Sequence, residues 1–334
     1  EQFSSFSEAN LVWSNGSAEW ITGLNLWTDR FQQQEGDPEA DLSYDEATLG
    51  GFVQNTWNFK PQWTLESGFR LDYQNRYGWF ALPRFSLMFD PASNWTFRLG
   101  GGIGYKTPTV FSEDAERLQF QNILPLDTSA LDAERSIGGN FDINYRTPLA
   151  PGLVMTSNVL LYYTKIQDPL QLVPTGNFYE FIQPEGYVDT QGVEVNLKWS
   201  YGDLKLFVGY TYANVKAHYN GETSEFPLVA KHRLNNVLMY EKHDNFWIGL
   251  EAYYFSPQRL SDGSTGQSYS ITGLMTEKKL GEHFSVFLNF ENFLDTRQTA
   301  FDTIFTGDLS DPQFRDIYAP VDGFVVNGGF KWKL

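Results

Sequence analysis

Two histidines are the residues of this sequence whose spacing comes nearest to a metal or haem ligand pair. His218 and His232 flank a predicted loop, whereas His243 and His283 lie further along the chain. Imidazole nitrogens bind zinc, copper and haem iron. Histidines at strand ends are also ordinary polar residues, and this is the interpretation that we favour for the pair. A metal or haem site at this loop stays the alternative.

Residues 100–107 (GGGIGYKT) have the composition of a phosphate-binding loop. A true phosphate loop follows a strand and opens a helix, whereas these glycines lie inside an alternating strand pattern with no helix after them. The sequence also contains no G-x-S-x-G or H-E-x-x-H motif, and it has no cysteine for a disulfide, a Cys-ligated zinc or an iron–sulfur cluster. We therefore predict that the chain is not an enzyme and carries no resident cofactor.

Acidic residues dominate the predicted loops. They are Glu35, Asp37, Glu39, Asp41, Glu113, Asp114, Glu116, Asp302, Asp308, Asp311 and Asp316. Solvated loop surface is the simplest interpretation, and the alternatives are a loop-bound Ca²⁺ or a preference for cationic or neutral ligands. The net charge is −17, with no Lys/Arg-rich run, which excludes nucleic acid as a partner.

The elements that must position these residues are strands. Apolar and polar residues alternate with a period of two along the whole chain, which indicates half-buried β-strands. No run reaches the roughly 18 apolar residues of a membrane-spanning helix. We predict fifteen strands, near residues 3–14, 18–31, 46–59, 62–75, 79–90, 94–106, 135–147, 153–167, 187–200, 203–216, 232–242, 245–256, 267–280, 283–294 and 323–334.

The connections between these strands alternate in length. Short turns alternate with long loops at 32–45, 107–134, 168–186, 217–231, 257–266 and 295–322. Short turns at one rim and long loops at the other are typical of an outer-membrane β-barrel. The strand near residues 94–106 has one apolar face, from Trp95 through Leu99 and Ile103 to Tyr105, which we expect to face lipid.

The fold class that follows is all-β, an antiparallel transmembrane β-barrel. Bacterial single-chain barrels have even strand numbers, so fifteen strands indicate either a missed strand, with 178–182 as the candidate, or the C-terminal part of a larger barrel.

Several segments resemble those of TonB-dependent outer-membrane receptors. Residues 94–108 (NWTFRLGGGIGYKTP) are similar to the strand that enters a long acidic loop in that family, and Glu134-Arg135-Ser136 resembles its Glu-x-Ser block. Further similar segments follow in the family's order at 159–166 (VLLYYTKI), 188–196 (VDTQGVEVN), 209–214 (GYTYAN), 231–237 (KHRLNNV), 288–295 (LNFENFLD) and 325–334. The ordered set covers about residues 60 to 334.

The resemblance implies a fold and a function. These receptors are plugged 22-stranded barrels, so residues 1–334 would supply about fifteen of 22 strands, without the plug domain. The implied function is import of a ferric siderophore or other metal chelate across the outer membrane of a Gram-negative bacterium, driven by the TonB–ExbB–ExbD complex through the missing N-terminal part.

The resemblance leaves the ligand and some partners open. Cobalamin, haem and glycans are alternative ligands, and a surface lipoprotein is a further partner that it allows. Haem is the less favoured, because haem receptors of the family tend to carry a histidine between the segments at 105–108 and 134–136, where this sequence has none. A passive porin-like channel of 16 strands is the rival function.

Ligand contacts are expected from the long loops, because aromatic residues and arginine are enriched at binding surfaces. Packing of the loops against one another is the competing role for each residue. The candidates are Phe111, Arg117, Phe120, Gln121, Tyr179, Tyr219, Arg259, Phe305, Arg315 and Tyr318.

Overall fold

A computed structural model describes residues 1–34, 41–243 and 245–333. In chain order its elements are β1 (Gln2–Asn15), β2 (Ala18–Phe31), β3 (Tyr44–Lys60), β4 (Trp63–Gln74), β5 (Gly78–Ala92), β6 (Trp95–Lys106), α1 (Glu113–Arg117), β7 (Glu134–Ala150), β8 (Leu153–Gln167), β9 (Gln171–Thr175), β10 (Phe178–Ile182), β11 (Gly186–Tyr201), β12 (Leu204–Tyr219), β13 (Glu222–Glu225), β14 (His232–Lys242), β15 (Phe246–Phe255), β16 (Tyr269–Lys279), β17 (Phe284–Glu291), α2 (Gln298–Phe301), β18 (Phe305–Asp308), β19 (Asp311–Phe314) and β20 (Val325–Trp332). Neither described helix is long and apolar enough to cross a membrane.

Sixteen strands form one antiparallel sheet. Its pairing order is β1 to β8, then β11, β12, β14 to β17 and β20, with the short β13 paired to the end of β12. The fifteen long strands are the fifteen that the sequence predicts, and the all-β antiparallel fold class is confirmed. Strand ends differ by up to a few residues, and Leu334 lies outside the described residues.

The segment 178–182 is a strand, but it does not belong to the main sheet. It forms β10, which pairs with β9 in a hairpin inside the loop between β8 and β11, and its Tyr179 also forms an isolated parallel bridge with Ile123. Five residues are too few for a membrane β-strand, which needs about 9 to 11. A second hairpin, β18 with β19, lies in the loop between β17 and β20.

The two faces of the sheet differ in polarity. On β4, the exposed Phe69, Leu71 and Tyr73 alternate with Arg70 and Asp72. We call the apolar side the outer face and the polar side the inner face. On β6, Leu99 and Ile103 are exposed on the outer face, as predicted.

Tyr105 was predicted to lie on the outer face of β6, and this prediction is wrong. Its hydroxyl donates to inner-face Asp72 at 3.0 Å, and its ring stacks on inner-face Phe80 with the centroids 3.7 Å apart. Pairing of β5 with β6 stops at Arg84 and Gly102. The end of β6 therefore leaves β5, and the Tyr105 side chain reaches the inner side.

Candidate functional site

A cavity of about 650 Å³ lies against the inner face of β2, β3 and β4 at the edge of the sheet that carries the long loops. Residues 104–110, which end β6 and begin the next loop, form another wall, and residues 41–43 and 125–126 contribute from two loops. Binding pockets for small molecules have volumes of about 300–1,000 Å³. The cavity therefore has the size of a small-molecule site.

An ion pair with a buried carboxylate lies in the wall of this cavity. Asp72 is 1% exposed, and it accepts hydrogen bonds from Arg70 Nε at 2.7 Å and from the Tyr105 hydroxyl at 3.0 Å. The Arg70 guanidinium also donates to Asn25 Oδ1 at 3.2 Å. Because Arg70 and Asp72 are two residues apart on one strand, alternation places both side chains on the inner face.

Gly50 makes room for this group. It lies between Asn25 of β2 and Asp72 of β4 in the strand register. A Cβ at this position would lie 2.4 Å from Asp72 Oδ1 and 2.6 Å from Asn25 Oδ1. The close approach of the two polar side chains therefore requires glycine at residue 50.

A second polar group surrounds Asp29 near the rim of the cavity. Its carboxylate accepts hydrogen bonds from the Tyr44 hydroxyl at 2.7 Å and from Ser4 Oγ at 2.6 Å. The Tyr44 ring also lies 5.8 Å from the Phe31 ring and 6.1 Å from the Phe111 ring, between centroids. Tyr44 thus joins the polar wall to an aromatic group contributed by the loop after β6.

The cavity carries both signs of charge. Its charged residues are Asp29, Asp41, Glu46, Arg70, Asp72, Arg76 and Lys106. Aromatic and aliphatic side chains lie beside these charges, so the lining offers a small molecule both apolar and hydrogen-bonding contacts. It offers no large excess of positive charge for a strongly anionic one.

Five of the ten predicted ligand residues lie in the loops next to the cavity. The Phe111 ring contacts the Phe120 ring edge-on, 5.6 Å between centroids, and both rings remain more than a third exposed. Tyr179 packs against the buried side chains of the same loop region, and Gln121 lies exposed in the turn after Phe120. The backbone of Arg117 ends α1, but its side chain lies outside the described part of the chain.

Three other predicted residues belong to a second group of loops. Arg315 lies 3.2 Å from Asp302 and 3.7 Å from Asp262. Tyr318 is 7% exposed, donates to Asp302 at 2.7 Å, and accepts from the Gln267 backbone N–H at 2.8 Å. The Arg259 backbone carbonyl accepts from Leu228 N–H at 2.8 Å.

The two remaining predicted residues lie on strands. Phe305 lies opposite Phe314 in the β18–β19 hairpin, and Tyr219 ends β12.

The contacts of Asp302 lower the pKa of its carboxyl. The largest influence is the hydrogen bond from the Tyr318 hydroxyl, and the Thr303 backbone N–H and the Arg315 guanidinium act in the same direction against the opposing effect of burial. Asp302 is therefore held in the charged form, and its carboxylate oxygens accept hydrogen bonds from Tyr318, Thr303 and Arg315.

None of the nine predicted ligand residues whose side chains the structure describes lines the cavity itself, and the role of all ten in binding stays a prediction. The predicted residues were all chosen from the long loops, whereas Asn25, Arg70, Asp72 and Tyr105 of the cavity wall lie on strands. A usable signal was present in the sequence, because Arg70 and Asp72 place opposite charges two residues apart on one face of a strand.

The two histidines have ordinary polar partners. His218 Nε2 lies 3.1 Å from Asp189 Oδ1, and His232 Nδ1 lies 2.8 Å from the Tyr210 hydroxyl oxygen. Within the described residues, no group of three or more His, Asp or Glu side chains is placed to hold a metal ion. Glu35, Asp37, Glu39 and the Asp311 side chain lie outside that part of the chain. Loop-bound Ca²⁺ stays a prediction.

Comparison with known proteins identifies relatives of this fold. The model of the family "TonB dependent receptor-like, beta-barrel" matches residues 4–293. No curated protein sequence matches the chain.

Several solved structures have the same fold. A mutant of the ferric enterobactin receptor PfeA from Pseudomonas aeruginosa is 14% identical with a TM-score of 0.72, and the match covers 99% of this chain and 53% of that one. The siderophore receptor PirA from Acinetobacter baumannii is 14% identical with a TM-score of 0.69, over 99% and 54% of the two chains. The FrpB iron transporter from Neisseria meningitidis is 15% identical with a TM-score of 0.70, over 98% and 55%. This chain thus spans about half the length of these structures.

Proposed function

The chain belongs to the TonB-dependent receptor-like β-barrel family, and on this premise we propose that it forms part of the wall of an outer-membrane transporter for a scarce metal chelate. A ferric siderophore is the ligand that we favour. Energy for import would come from TonB, acting through parts of the receptor that the comparison structures have and that residues 1–334 do not supply.

The observation that carries this proposal is the cavity of about 650 Å³ on the inner face at the long-loop edge. Its volume fits a small molecule, and its lining combines the Arg70–Asp72 pair with Tyr44 and Tyr105. The solved structures with this fold include a ferric enterobactin receptor, a siderophore receptor and an iron transporter. Family membership favours such a receptor over a passive porin.

The charges that line the cavity indicate which ligand charge is preferred. Because its four carboxylates oppose three cationic side chains, we expect a neutral or zwitterionic chelate to bind better than one with several negative charges. Cobalamin, haem and glycans are the ligands against which the siderophore must be compared.

Uptake by intact cells tests the function. Cells that depend on the protein are given radiolabelled ferric siderophores of different charge, with and without a protonophore and with and without TonB. We expect saturable uptake that stops in both treated cultures. Uptake that continues without TonB and without the proton gradient contradicts the proposal and indicates a passive pore.

A pair of variants tests the cavity. Lys106 lines it, whereas Lys242 lies at the end of β14, at the short-turn edge of the sheet. We expect Lys106→Gln to weaken binding of the imported chelate about tenfold, as loss of a charged hydrogen bond would, and Lys242→Gln to leave it unchanged. Equal effects of both substitutions would place the ligand elsewhere.

A further inference from the structure

A group of basic and aromatic residues lies on the outer face where β8, β11 and β12 approach the long-loop edge. We call Lys165, Tyr187, Asp189, Lys216 and His218 the outer-rim patch. On β8, the exposed Leu161 and Tyr163 precede Lys165 on the same face. Asp189 lies opposite Lys165 on one side and Lys216 on the other, and Tyr187 lies opposite His218.

Direct contacts hold the patch in one arrangement. The Lys165 ammonium lies 3.8 Å from the centroid of the Tyr187 ring, which stacks on the His218 ring at 4.4 Å. His218 Nε2 is 3.1 Å from Asp189 Oδ1, and its Nδ1 is 3.0 Å from Thr223 Oγ1. The Tyr187 ring therefore contacts residues of both neighbouring strands.

The two ammonium groups of the patch remain available to an anion. Among the described residues, no carboxylate forms an ion pair with Lys165 or Lys216, and Glu225, which lies opposite Lys216, pairs with Lys231 instead. Asp189 is the one carboxylate of the patch. Two lysines against one aspartate leave a net positive charge there, in a chain whose net charge is −17.

The patch lies at the level where an apolar membrane band would end. Trp199 marks the opposite end of β11, ten residues from Asp189 and twelve from Tyr187. At about 3.3 Å per residue and a tilt of about 40°, these separations correspond to roughly 25 Å and 30 Å along the membrane normal. The apolar band of a membrane barrel is about 25 Å tall, so the patch is level with lipid headgroups.

We infer that the outer-rim patch binds the phosphate of a lipid headgroup in the outer leaflet. Lys165 and Lys216 lie two strands apart, roughly 10 Å at about 4.8 Å per strand, so their long side chains can approach one phosphate from both sides. Asp189 lies between them and is hydrogen-bonded to His218. This inference rests on the outer-membrane location in the proposed function but not on the imported ligand.

Lipid binding to the intact protein in neutral detergent tests the inference. Native mass spectrometry compares phosphatidic acid with phosphatidylcholine of the same acyl chains. We expect preferential retention of phosphatidic acid, and we expect Lys165→Gln and Lys216→Gln each to weaken it about fivefold, the effect of one lysine at an anionic surface. Equal retention of both lipids would show that acyl chains alone are recognised and would overturn the inference.

Two controls separate the headgroup from other causes. Lys198→Gln, on the inner face of β11, removes the same charge from a lysine that also lies over a ring, that of Phe207 at 5.1 Å, and should leave retention unchanged. Lys165→Arg should retain the preference. Full retention by the Lys165→Gln/Lys216→Gln double variant, or displacement of the lipid by inorganic phosphate alone at equal concentration, contradicts a lipid site.

The lipid and transport experiments can fail separately. If the lysine variants lose the lipid preference while uptake is independent of TonB, the lipid-binding inference is supported and the proposed function is contradicted. If uptake depends on TonB but both lipids are retained equally, the proposed function is supported and the lipid-binding inference is contradicted.

Discussion

Two groups of loops at the same edge of the sheet are held together by different forces. The apolar loop cluster, residues 107–133 and 168–185, is built around the buried side chains of Val110, Ala115, Ile123, Leu131 and Phe181. The polar loop cluster, residues 257–268 and 295–322, is built around Gln298, Asp302 and Tyr318, with a smaller apolar part at Leu260 and Ala319.

The polar loop cluster depends on a few directed bonds. Gln298 is fully buried. Its Oε1 accepts from the backbone N–H groups of Tyr318 and Ala319 at 2.8 and 3.0 Å, and its Nε2 donates to the Asp316 carbonyl at 2.9 Å. The apolar loop cluster has such bonds at Gln183, which joins Asp132 and Asp168, but its centre is apolar.

This difference affects which side chains are free for a ligand. In the apolar loop cluster, Phe111 and Phe120 are 40% and 37% exposed beside the cavity. In the polar loop cluster, Arg315 and Tyr318 are engaged with Asp302. We therefore expect the apolar loop cluster to supply more of the ligand contact, and the polar one to set loop position.

The largest effect is expected from Ile123→Ala in the apolar loop cluster. Ile123 is 1% exposed, and an Ile→Ala change in a packed core costs about 2–5 kcal/mol. Amide hydrogen exchange should quicken in residues 107–133 and in β9 and β10, with no change in residues 295–322. Leu309→Ala, at a side chain that is 83% exposed, is the control. Equal acceleration in both clusters would show that they unfold as one unit.

Gln298→Ala should have the next largest effect, confined to the polar loop cluster. The substitution leaves the Tyr318 and Ala319 N–H groups without their acceptor, and an unpaired buried polar group costs about 1–3 kcal/mol. Hydrogen exchange in residues 295–322 and at 257–268 reports this loss. Gln313→Ala, at an exposed position of β19, should leave the exchange rates unchanged.

A smaller effect is expected from acid. Because the folded-state pKa of Asp302 is lowered from 3.8, its contribution to stability is complete above that ordinary value and is lost as the pH falls through the lowered one. Pepsin cleavage of the polar loop cluster should therefore rise relative to that of the apolar one as the solution is acidified below about pH 4. Asp302→Asn should flatten this dependence. An unchanged ratio in the parent protein would argue against the role of Asp302.

The smallest effect is expected from Arg315→Gln. Arg315 is partly exposed and pairs with Asp302 and Asp262, and such ion pairs contribute about 0.2–1 kcal/mol. Hydrogen exchange near β18 and β19 should change little, and added salt should remove the difference between parent and variant. A loss as large as that of Gln298→Ala would contradict this ranking and mean that Arg315 organises these loops as much as Gln298 does.

Strand prediction succeeded where alternation was continuous. A period of two is a local property, so the fifteen long strands and their faces could be predicted from neighbouring residues alone. It failed at Tyr105, where the last residues of β6 separate from β5 but stay paired with β7, because the point at which two strands separate depends on both of them. It was also ambiguous at β10, which alternates as a barrel strand does but is too short to be one.

The candidate site was less predictable than the fold. Its strand residues come mainly from β2, β3, β4 and β6, and only pairing in register brings Asn25, Gly50 and Asp72 into one row. Glycine is needed at residue 50 because of atoms on two other strands, so no local sequence pattern predicts it. The same holds for Gln298, an ordinary polar residue in the sequence that is fully buried in the structure.

The sequence by itself determined the all-β class, the fifteen long strands, their two faces and the resemblance to a receptor family, because each depends on short-range periodicity or on ordered motifs. Tertiary structure alone decided which loops pack together, which charged groups meet on the inner face, and where the outer-rim patch lies relative to the aromatic end of β11. These depend on contacts between residues far apart in the chain, and their geometry is set by strand register and twist.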